Sequence, residues 1–260
     1  MKGASLRKLA VHQFRYDFKV FRRNPAALFF TVALPLIFLV IFSAIFGSQR
    51  LDELGGIKTT TYYVPGIVTL AVISATFVSM AIRLTEERES GSLKRLRGTP
   101  LPTIAFVLGR VGNSLVVSTI MLVVVTIVGR VLYGVEPPPV DRWPALVVTL
   151  LLGAAAFSCL GIALTVVIPS FDAAPAVTNF AALPLYFISG VFIPETEIPD
   201  AILSFADIFP IRHFFRAFYA CWDPVSTGSG FEPVNLAVIA IWGLFGFIVA
   251  RLLMRWEPRR

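Results

Sequence analysis

The side chains that most often perform chemistry are few in this sequence and widely separated. The two cysteines lack the Cys-x-x-Cys spacing of a metal or redox site, and His12 and His213 belong to no cluster of metal-ligating residues. There is no Gly-x-Ser-x-Gly nucleophile motif, no His-Glu-x-x-His metal motif and no Gly-x-x-x-x-Gly-Lys-Ser/Thr phosphate loop. We therefore expect no catalytic residues, no cofactor, no metal and no ATP site of the phosphate-loop type on this chain.

The densest group of charged residues follows the second of several long apolar runs. Its first half is predicted to prolong a helix with Glu86, Glu87, Arg88 and Glu89. Gly91 then interrupts that helix, because glycine is a poor helix former. Ser92 is predicted to cap a second, short helix, which Gly98 and Pro100 end. The residues of this short basic segment are Gly91, Ser92, Leu93, Lys94, Arg95, Leu96 and Arg97.

The short basic helix carries two leucines whose apolar side chains must be buried. Leu93 and Leu96 are three residues apart, so they share one face. A helix of this length cannot bury them alone, and a groove on a soluble partner protein is the economical explanation. The alternative is a solvated loop whose positive charge reflects only its side of a membrane.

Long apolar helices must position these charged residues. Of 260 residues, 56% are hydrophobic and 15% are charged, against about 25% charged in soluble domains. Six runs are long enough to cross about 30 Å of hydrocarbon. They cover residues 26–46, 64–82, 104–132, 144–168, 176–193 and 234–253. The composition therefore predicts an all-α integral membrane protein with six transmembrane helices in a domain at 26–260.

The distribution of charge predicts the orientation of these spans. Most of the 23 Lys and Arg residues, but a minority of the 16 Asp and Glu residues, lie on one side of the predicted membrane. That side holds the N-terminal segment, the loop after the second run and the C-terminal tail. Because basic loops remain in the cytoplasm, both termini and the short basic helix are predicted to be cytoplasmic.

The first 25 residues are predicted to form an amphipathic helix in the membrane interface. Its basic residues share one face, and Phe14, Phe18 and Phe21 share the opposite face. The basic face would contact anionic lipid headgroups, and the aromatic face would lie just below them. The helix could simply anchor the chain to the membrane, or it could also brace a protein that docks on the cytoplasmic side. A cleaved signal peptide is a third interpretation, but the 25 residues before the first apolar run are too long for one. The expected interface residues are Arg15, Lys19, Arg22 and Arg23.

The segment between the fifth and sixth runs is too apolar for an ordinary solvated loop. Two short helical patterns begin near Pro199 and Pro210. Each has about a dozen residues, which is too short to span a bilayer. We expect an outer re-entrant helical hairpin before the last span, with Arg212, His213 and Arg216 near lipid headgroups.

The order of residues in the charged segment resembles the signature of the type-2 permease family of ATP-binding-cassette (ABC) transporters, and the drug-efflux members most. The motif residues are Glu87-Arg88-Glu89-Ser90-Gly91-Ser92-Leu93, Leu96 and Thr99-Pro100-Leu101. Further similarities are Arg22-Arg23-Asn24-Pro25, Pro35, Val64-Pro65-Gly66, Leu183-Pro184-Leu185, Ser189-Gly190 and Phe192-Ile193-Pro194. One segment, Phe209-Pro210-Ile211, departs from the family pattern, because members often have Asn before the proline and Leu after it. This segment lies within the predicted outer hairpin.

This resemblance implies a permease subunit of an ATP-driven exporter in the bacterial cytoplasmic (inner) membrane. It implies that residues 91–97 are a coupling helix that docks on a separate ABC ATPase, which binds ATP and Mg. Residues 86–89 would transmit its movement. A second permease copy, identical or related, is implied as well, and no nucleic-acid partner is expected. The implied cargo is a hydrophobic or amphipathic drug or lipid, with a lipid-linked saccharide as the alternative.

Two other classes of protein fit these residues less well. An ion-coupled secondary transporter would normally place Asp or Glu within its spans, and none lies deep in the six runs. Arg110 and Arg130 lie toward opposite ends of the third run and are expected to snorkel to the membrane surface. An intramembrane hydrolase would need a nucleophile with a base, or a metal, at membrane depth.

Overall fold

The computed structural model describes residues 6–23, 25, 29–47, 49–51, 55–98 and 103–253. The structure is 79% helix and 2% strand. The prediction of an all-α protein is therefore confirmed. Several predicted features lie outside the described residues: the start of the first run at 26–28, the loop residues 52–54, the Thr99-Pro100-Leu101 part of the motif with the helix terminator Pro100, and the tail after Leu253.

The first part of the chain contains two π-helical turns, a short hairpin and six α-helices within the described residues. In order they are α1 (Leu6–Arg23), a π-helical turn (Phe29–Ala33), α2 (Leu34–Phe46), β1 (Arg50–Leu51), β2 (Ile57–Lys58), α3 (Thr59–Ile73), a second π-helical turn (Ser74–Val78), α4 (Ser79–Glu89), α5 (Ser92–Arg97) and α6 (Thr103–Tyr133). The two strands are antiparallel, with Arg50 opposite Lys58 and Leu51 opposite Ile57.

The second part of the chain contains two 3-10 turns and five further α-helices within the described residues. They are a 3-10 turn (Val140–Arg142), α7 (Trp143–Leu164), α8 (Ala174–Ile188), a 3-10 turn (Glu195–Glu197), α9 (Asp200–Ala206), α10 (Pro210–Trp222) and α11 (Pro233–Leu253). The two short helices predicted near Pro199 and Pro210 are thus present as α9 and α10.

Among the described residues, four helical segments are long and apolar enough to cross a membrane. They are Thr59–Glu89, Phe106–Tyr133, Val140–Leu164 and Pro233–Leu253. The predicted first and fifth spans correspond to shorter apolar helices, Thr31–Phe46 and Ala174–Ile188. α8 ends before residue 193 because Gly190 adopts a left-handed φ of 84°. The number of six spans remains a prediction.

α3 lies at the centre of the bundle. It is apolar on all sides, as expected of a helix with no solvent-facing surface, and Val64, Ile67 and Ala71 have no exposed area. α2, α6 and α10 pack around it. The hydroxyl of Thr69 donates to the Pro65 carbonyl at 2.9 Å, which satisfies its polar group inside the helix.

Small residues bring α7 and α11 into close contact. A Cβ on Gly243 would lie 2.8 Å from the Cβ of Ala156, closer than real side chains allow. Close backbone approach through glycine and alanine is typical of helix packing in membranes. These two helices therefore pack closely against each other.

Gly91 separates α4 from α5, as predicted. Its φ is 71°, in the left-handed region that glycine adopts without strain. Ser92 is the first helical residue, and its hydroxyl hydrogen-bonds to that of Ser90 at 2.9 Å. The predicted capping role of Ser92 is therefore wrong, and the turn depends on Gly91.

Candidate functional site

Arg88 joins the end of α4 to the end of α7. Its side chain is 2% exposed. Nη1 donates to the Thr165 carbonyl at 2.8 Å and Nη2 to the Ile168 carbonyl at 2.9 Å. Carbonyl groups at and just beyond a helix C-terminus lack partners within the helix and attract a positive charge. The buried guanidinium therefore links the end of α4 to the segment that ends α7.

The neighbouring carboxylates contact two further elements. Glu87 forms an ion pair with Arg110 of α6. Glu89 Oε1 accepts a hydrogen bond from the backbone N–H of Phe171, in the turn between α7 and α8, at 2.8 Å. Glu86 is exposed. Three of the four residues predicted to transmit movement thus bind three different parts of the bundle.

Arg110 is the centre of an ion cluster that also includes α1. Its side chain is 4% exposed, and that of Asp17 is 1% exposed. Arg110 Nε lies 3.9 Å from Asp17 Oδ2, and Arg83 Nη2 lies 3.3 Å from Asp17 Oδ1. The expectation that Arg110 snorkels to the membrane surface is therefore wrong. The cluster holds α1, α4 and α6 together.

Asp17 was missed by the sequence analysis although a signal exists. It is the one acidic residue among the first 25 residues. Its spacing from Phe14 and Phe21 places it on the aromatic face of the helix rather than the basic face. A lone carboxylate on the apolar face of a basic helix indicates a buried cationic partner.

α1 has the two faces that the sequence predicts. Phe21 is buried against Ala75 and Val117, so the expectation that the aromatic face lies in lipid is wrong for Phe21, which packs against the bundle itself. The four predicted interface residues, Arg15, Lys19, Arg22 and Arg23, are exposed. Their contact with lipid headgroups stays a prediction.

α5 buries Leu93 against the chain's own helices. The Leu93 side chain is 1% exposed. Leu96 is partly buried at the edge of the same cluster. The expectation that both leucines require the groove of a partner protein is therefore wrong for Leu93. Leu93 belongs to an apolar cluster whose other buried members are Met80, Leu84, Phe106, Ile162 and Ala250.

The opposite face of α5 is polar and accessible. Lys94 and Arg95 are exposed, whereas Gly91 and Ser92 are half-buried. Arg95 Nη2 donates to Ser92 Oγ at 3.3 Å, which orients its guanidinium along the helix. The side chain of Arg97 lies outside the described residues. Any protein that docks on α5 in this conformation therefore meets Lys94 and Arg95 first.

A second ion cluster holds the hairpin of α9 and α10. Glu195 accepts hydrogen bonds from Arg212 Nη2 at 3.0 Å and from Arg216 Nη2 at 2.6 Å. Arg212 also pairs with Asp207 at 2.6 Å. Arg212 and His213 are buried, so the prediction that they lie near headgroups is wrong: protein groups satisfy them. Among the described residues, no group of three or more His, Cys, Asp or Glu could hold a metal ion.

Comparison with known proteins identifies the family. The family described as ABC-2 type transporter matches residues 12–221. The chain belongs to this family. The resemblance inferred from the charged segment is thereby confirmed.

Named relatives align with this ABC-2 permease over most of its length. It is 26% identical over 232 residues to Inner membrane transport permease YadH of Escherichia coli (strain K12), covering 87% of this chain and 86% of that protein. It is 25% identical over 236 residues to Daunorubicin resistance ABC transporter permease protein DrrB1 of Streptomyces coeruleorubidus, covering 90% and 81%. It is 24% identical over 223 residues to Nodulation protein J of Sinorhizobium fredii, covering 82% of each.

Membership of the ABC-2 family assigns the general role of the chain in transport. The ABC-2 permease is the membrane subunit of an ABC transporter and works with an ABC ATPase partner. It is the transport subunit and not itself the ATPase. Its relatives and its apolar helices indicate a bacterial inner-membrane protein.

The ion cluster around Glu195 makes the stability of the permease depend on pH in the acidic range. Burial favours the neutral carboxyl, but hydrogen bonds and charges from Arg216 and Arg212 outweigh it and hold the pKa of Glu195 below its ordinary value. A lowered folded-state pKa contributes stability above the ordinary glutamate pKa of about 4.3. That contribution is lost as the pH falls through the folded-state pKa.

We therefore expect the melting temperature of the wild-type permease to fall more steeply below about pH 4.3 than that of Glu195→Gln. Thermal unfolding in detergent between neutral and acidic pH measures this difference. Glu197→Gln is the matched control, because Glu197 lies exposed on the same turn. Equal acid dependence in wild type and Glu195→Gln would show that the cluster does not stabilise the hairpin.

Proposed function

We propose that this permease exports a hydrophobic or amphipathic compound, a drug or a lipid, from the cytoplasm or the inner leaflet. The energy comes from a separate ABC ATPase, which binds ATP and Mg and docks on α5 at the cytoplasmic side. Both termini face the cytoplasm, as the positive-inside rule requires. Two permease copies, identical or related, pair around one pathway.

The contacts at the end of α4 support the coupling role. Arg88 binds the end of α7, and Glu87 binds α6 through Arg110. Leu93 is packed among side chains of α4, α6, α7 and α11. A displacement of α5 by a docked protein would therefore move several helix ends together. A partner that binds two arrangements of these ends with different affinity suffices to shift their populations.

An apolar cavity and one relative support the proposed cargo. The cavity has a volume of about 310 Å³, in the range of small-molecule pockets. It lies between the α3 segment, α7, α8, α10 and α11, and its aromatic wall would suit a drug-sized or acyl-chain ligand. The name of the Streptomyces relative refers to daunorubicin resistance. The aromatic residues that line the cavity are Phe77, Phe157, Phe209, Trp242 and Phe245.

Exposed apolar side chains support contact with lipid and with a second copy. Phe180 on α8 is 83% exposed, and Leu252 on α11 is 73% exposed. A surface that carries many exposed apolar side chains indicates contact with a membrane or with another protein. The exposed basic face of α1 would hold anionic headgroups at the cytoplasmic interface.

Transport into inverted membrane vesicles tests the proposal. The vesicles contain the permease together with its partner ABC ATPase, and daunorubicin or a fluorescent phospholipid is the probe. We expect ATP-dependent uptake of one probe and stimulation of ATP hydrolysis by the same probe. Uptake that follows a proton or sodium gradient and needs no ATPase would contradict the proposal. ATP hydrolysis that neither probe stimulates would contradict the proposed cargo.

A further inference from the structure

A polar cleft lies at the end of the bundle opposite to α5. It forms where α2 ends, where the β1–β2 hairpin leads into α3, and where α6 ends, and it has a volume of about 450 Å³. The ion clusters around Arg110 and Glu195 contribute no residue to it. Its lining residues are Ser43, Gly47, Arg50, Lys58, Thr60, Leu132 and Tyr133.

Two positive charges face each other at the mouth of the cleft. Arg50 and Lys58 are directly opposite in the antiparallel strand pair, and both are exposed. Like charges at directly opposed positions destabilise a strand pair. Among the described residues neither side chain forms an ion pair, although Arg50 Nη1 donates to the Gly56 carbonyl at 3.4 Å. The hairpin thus holds a doubly cationic site without a resident counter-charge in this part of the chain.

Two unsatisfied hydroxyl groups lie in the wall of the same cleft. Ser43 is 6% exposed and Thr60 is 4% exposed. Within the described part of the chain, Ser43 Oγ and Thr60 Oγ1 are buried without a hydrogen-bond partner. Buried polar groups are normally paired, and an unpaired one lowers stability. Rotation about χ1 would turn either hydroxyl toward a group bound in the cleft.

We propose that this cleft binds a phosphate group. Two cations offer charge-assisted hydrogen bonds to phosphate oxygens, and the two hydroxyls supply further donors. Phosphate binding would remove the repulsion between Arg50 and Lys58 and satisfy Ser43 and Thr60 together. The phosphate comes either from the headgroup of an anionic phospholipid or from solution. The site is independent of the exported cargo.

Thermal unfolding of the delipidated permease in neutral detergent tests whether the cleft binds phosphate from solution. Sodium phosphate should raise the melting temperature of the wild type above that in sodium chloride of equal ionic strength, which controls for screening. Lys58→Gln should raise the half-saturating phosphate concentration at least about tenfold, because bonds to charged groups are the strong ones. Lys58→Arg should restore binding. Arg130→Gln should bind as the wild type, since this exposed arginine of α6 pairs with Glu136 outside the cleft.

The order of melting temperatures separates a phosphate site from a structural role for Lys58. Without phosphate, Lys58→Gln should melt at or above the wild-type temperature, because one of two opposed charges is gone. With saturating phosphate the wild type should melt higher. If Lys58→Gln melts lower without phosphate, an acidic neighbour such as Asp52 or Glu53 already pairs with Lys58, and the proposal is wrong.

Native mass spectrometry tests whether the cleft binds the phosphate of a lipid headgroup. The permease is released from nanodiscs of phosphatidylcholine with or without phosphatidylglycerol, and retained lipids are counted. Retention of one phosphatidylglycerol by the wild type and by Arg130→Gln, but not by Arg50→Gln or Lys58→Gln, assigns the site to a headgroup. A phosphate-dependent melting shift without this retention assigns it to soluble phosphate. Neither effect, or an equal loss in Arg130→Gln, would overturn the proposal.

Discussion

Replacement of Arg110 by methionine should lower the unfolding free energy of the permease by about 3 kcal/mol, because it leaves two carboxylates short of a partner in a buried setting. Arg110 pairs with Glu87 and approaches Asp17, and only 4% of its side chain is exposed. The expected loss is at the lower end for broken buried pairs, because Arg83 still lies 3.3 Å from Asp17.

A double-mutant cycle separates this ion cluster from loss of packing. The variants are Arg110→Met, Asp17→Asn and both together, unfolded reversibly in mixed micelles of detergent and dodecyl sulfate. If the charges interact, the double variant should lose less stability than the two single losses together. Arg130→Met is the control and should unfold as the wild type. Additive losses, or an Arg110→Met permease as stable as the wild type, would refute the cluster as a brace between α1 and α6.

Substitution of Leu93 by aspartate should prevent accumulation of folded permease, because it places an unpaired charge among buried apolar side chains of four helices. Leu93 is 1% exposed, and an uncompensated buried charge typically costs about 3–5 kcal/mol. The measurement is the amount of monodisperse protein recovered by size-exclusion chromatography after mild solubilisation. A folded Leu93→Asp permease that only fails to bind its ATPase would show that Leu93 contacts the partner instead.

Lys94→Glu is the matched variant on the exposed face of the same short helix. It should fold normally, since Lys94 is exposed. It should bind the ABC ATPase at least about tenfold more weakly if that face docks, because reversed charge at a complementary interface is repulsive. Co-purification at graded ATPase concentrations measures the difference. Wild-type affinity in Lys94→Glu would remove the exposed face of α5 from the docking surface.

The helices could be predicted from sequence because their signals are local. Long apolar runs require spans in any fold, and Gly91 breaks the helix through its own backbone freedom. The shortness of α8 was harder to foresee. Apolar residues continue past Ile188, and the helix end depends on the backbone conformation of Gly190.

The partners of buried side chains could not be predicted in the same way. Periodicity shows that Leu93 and Leu96 share a face, but not that α4, α6, α7 and α11 cover Leu93. Asp17 and Arg83 meet across 66 residues of sequence, and no local pattern encodes such a pairing. Arg212 was expected at headgroups because a long cationic side chain near a membrane usually snorkels. Glu195 and Asp207 satisfy it instead.

Cross-linking from position 95 tests most directly whether α5 receives the ATPase. Arg95→Cys places a thiol on the exposed face of α5, while native Cys221 is buried and Cys159 is only partly accessible, so the unmodified permease gives the background. In membranes that contain both subunits, we expect a short bifunctional reagent to join position 95 to the ABC ATPase. We also expect no labelling of intact cells by an impermeant maleimide. Labelling from outside the cell, with no cross-link to the ATPase, would contradict the account.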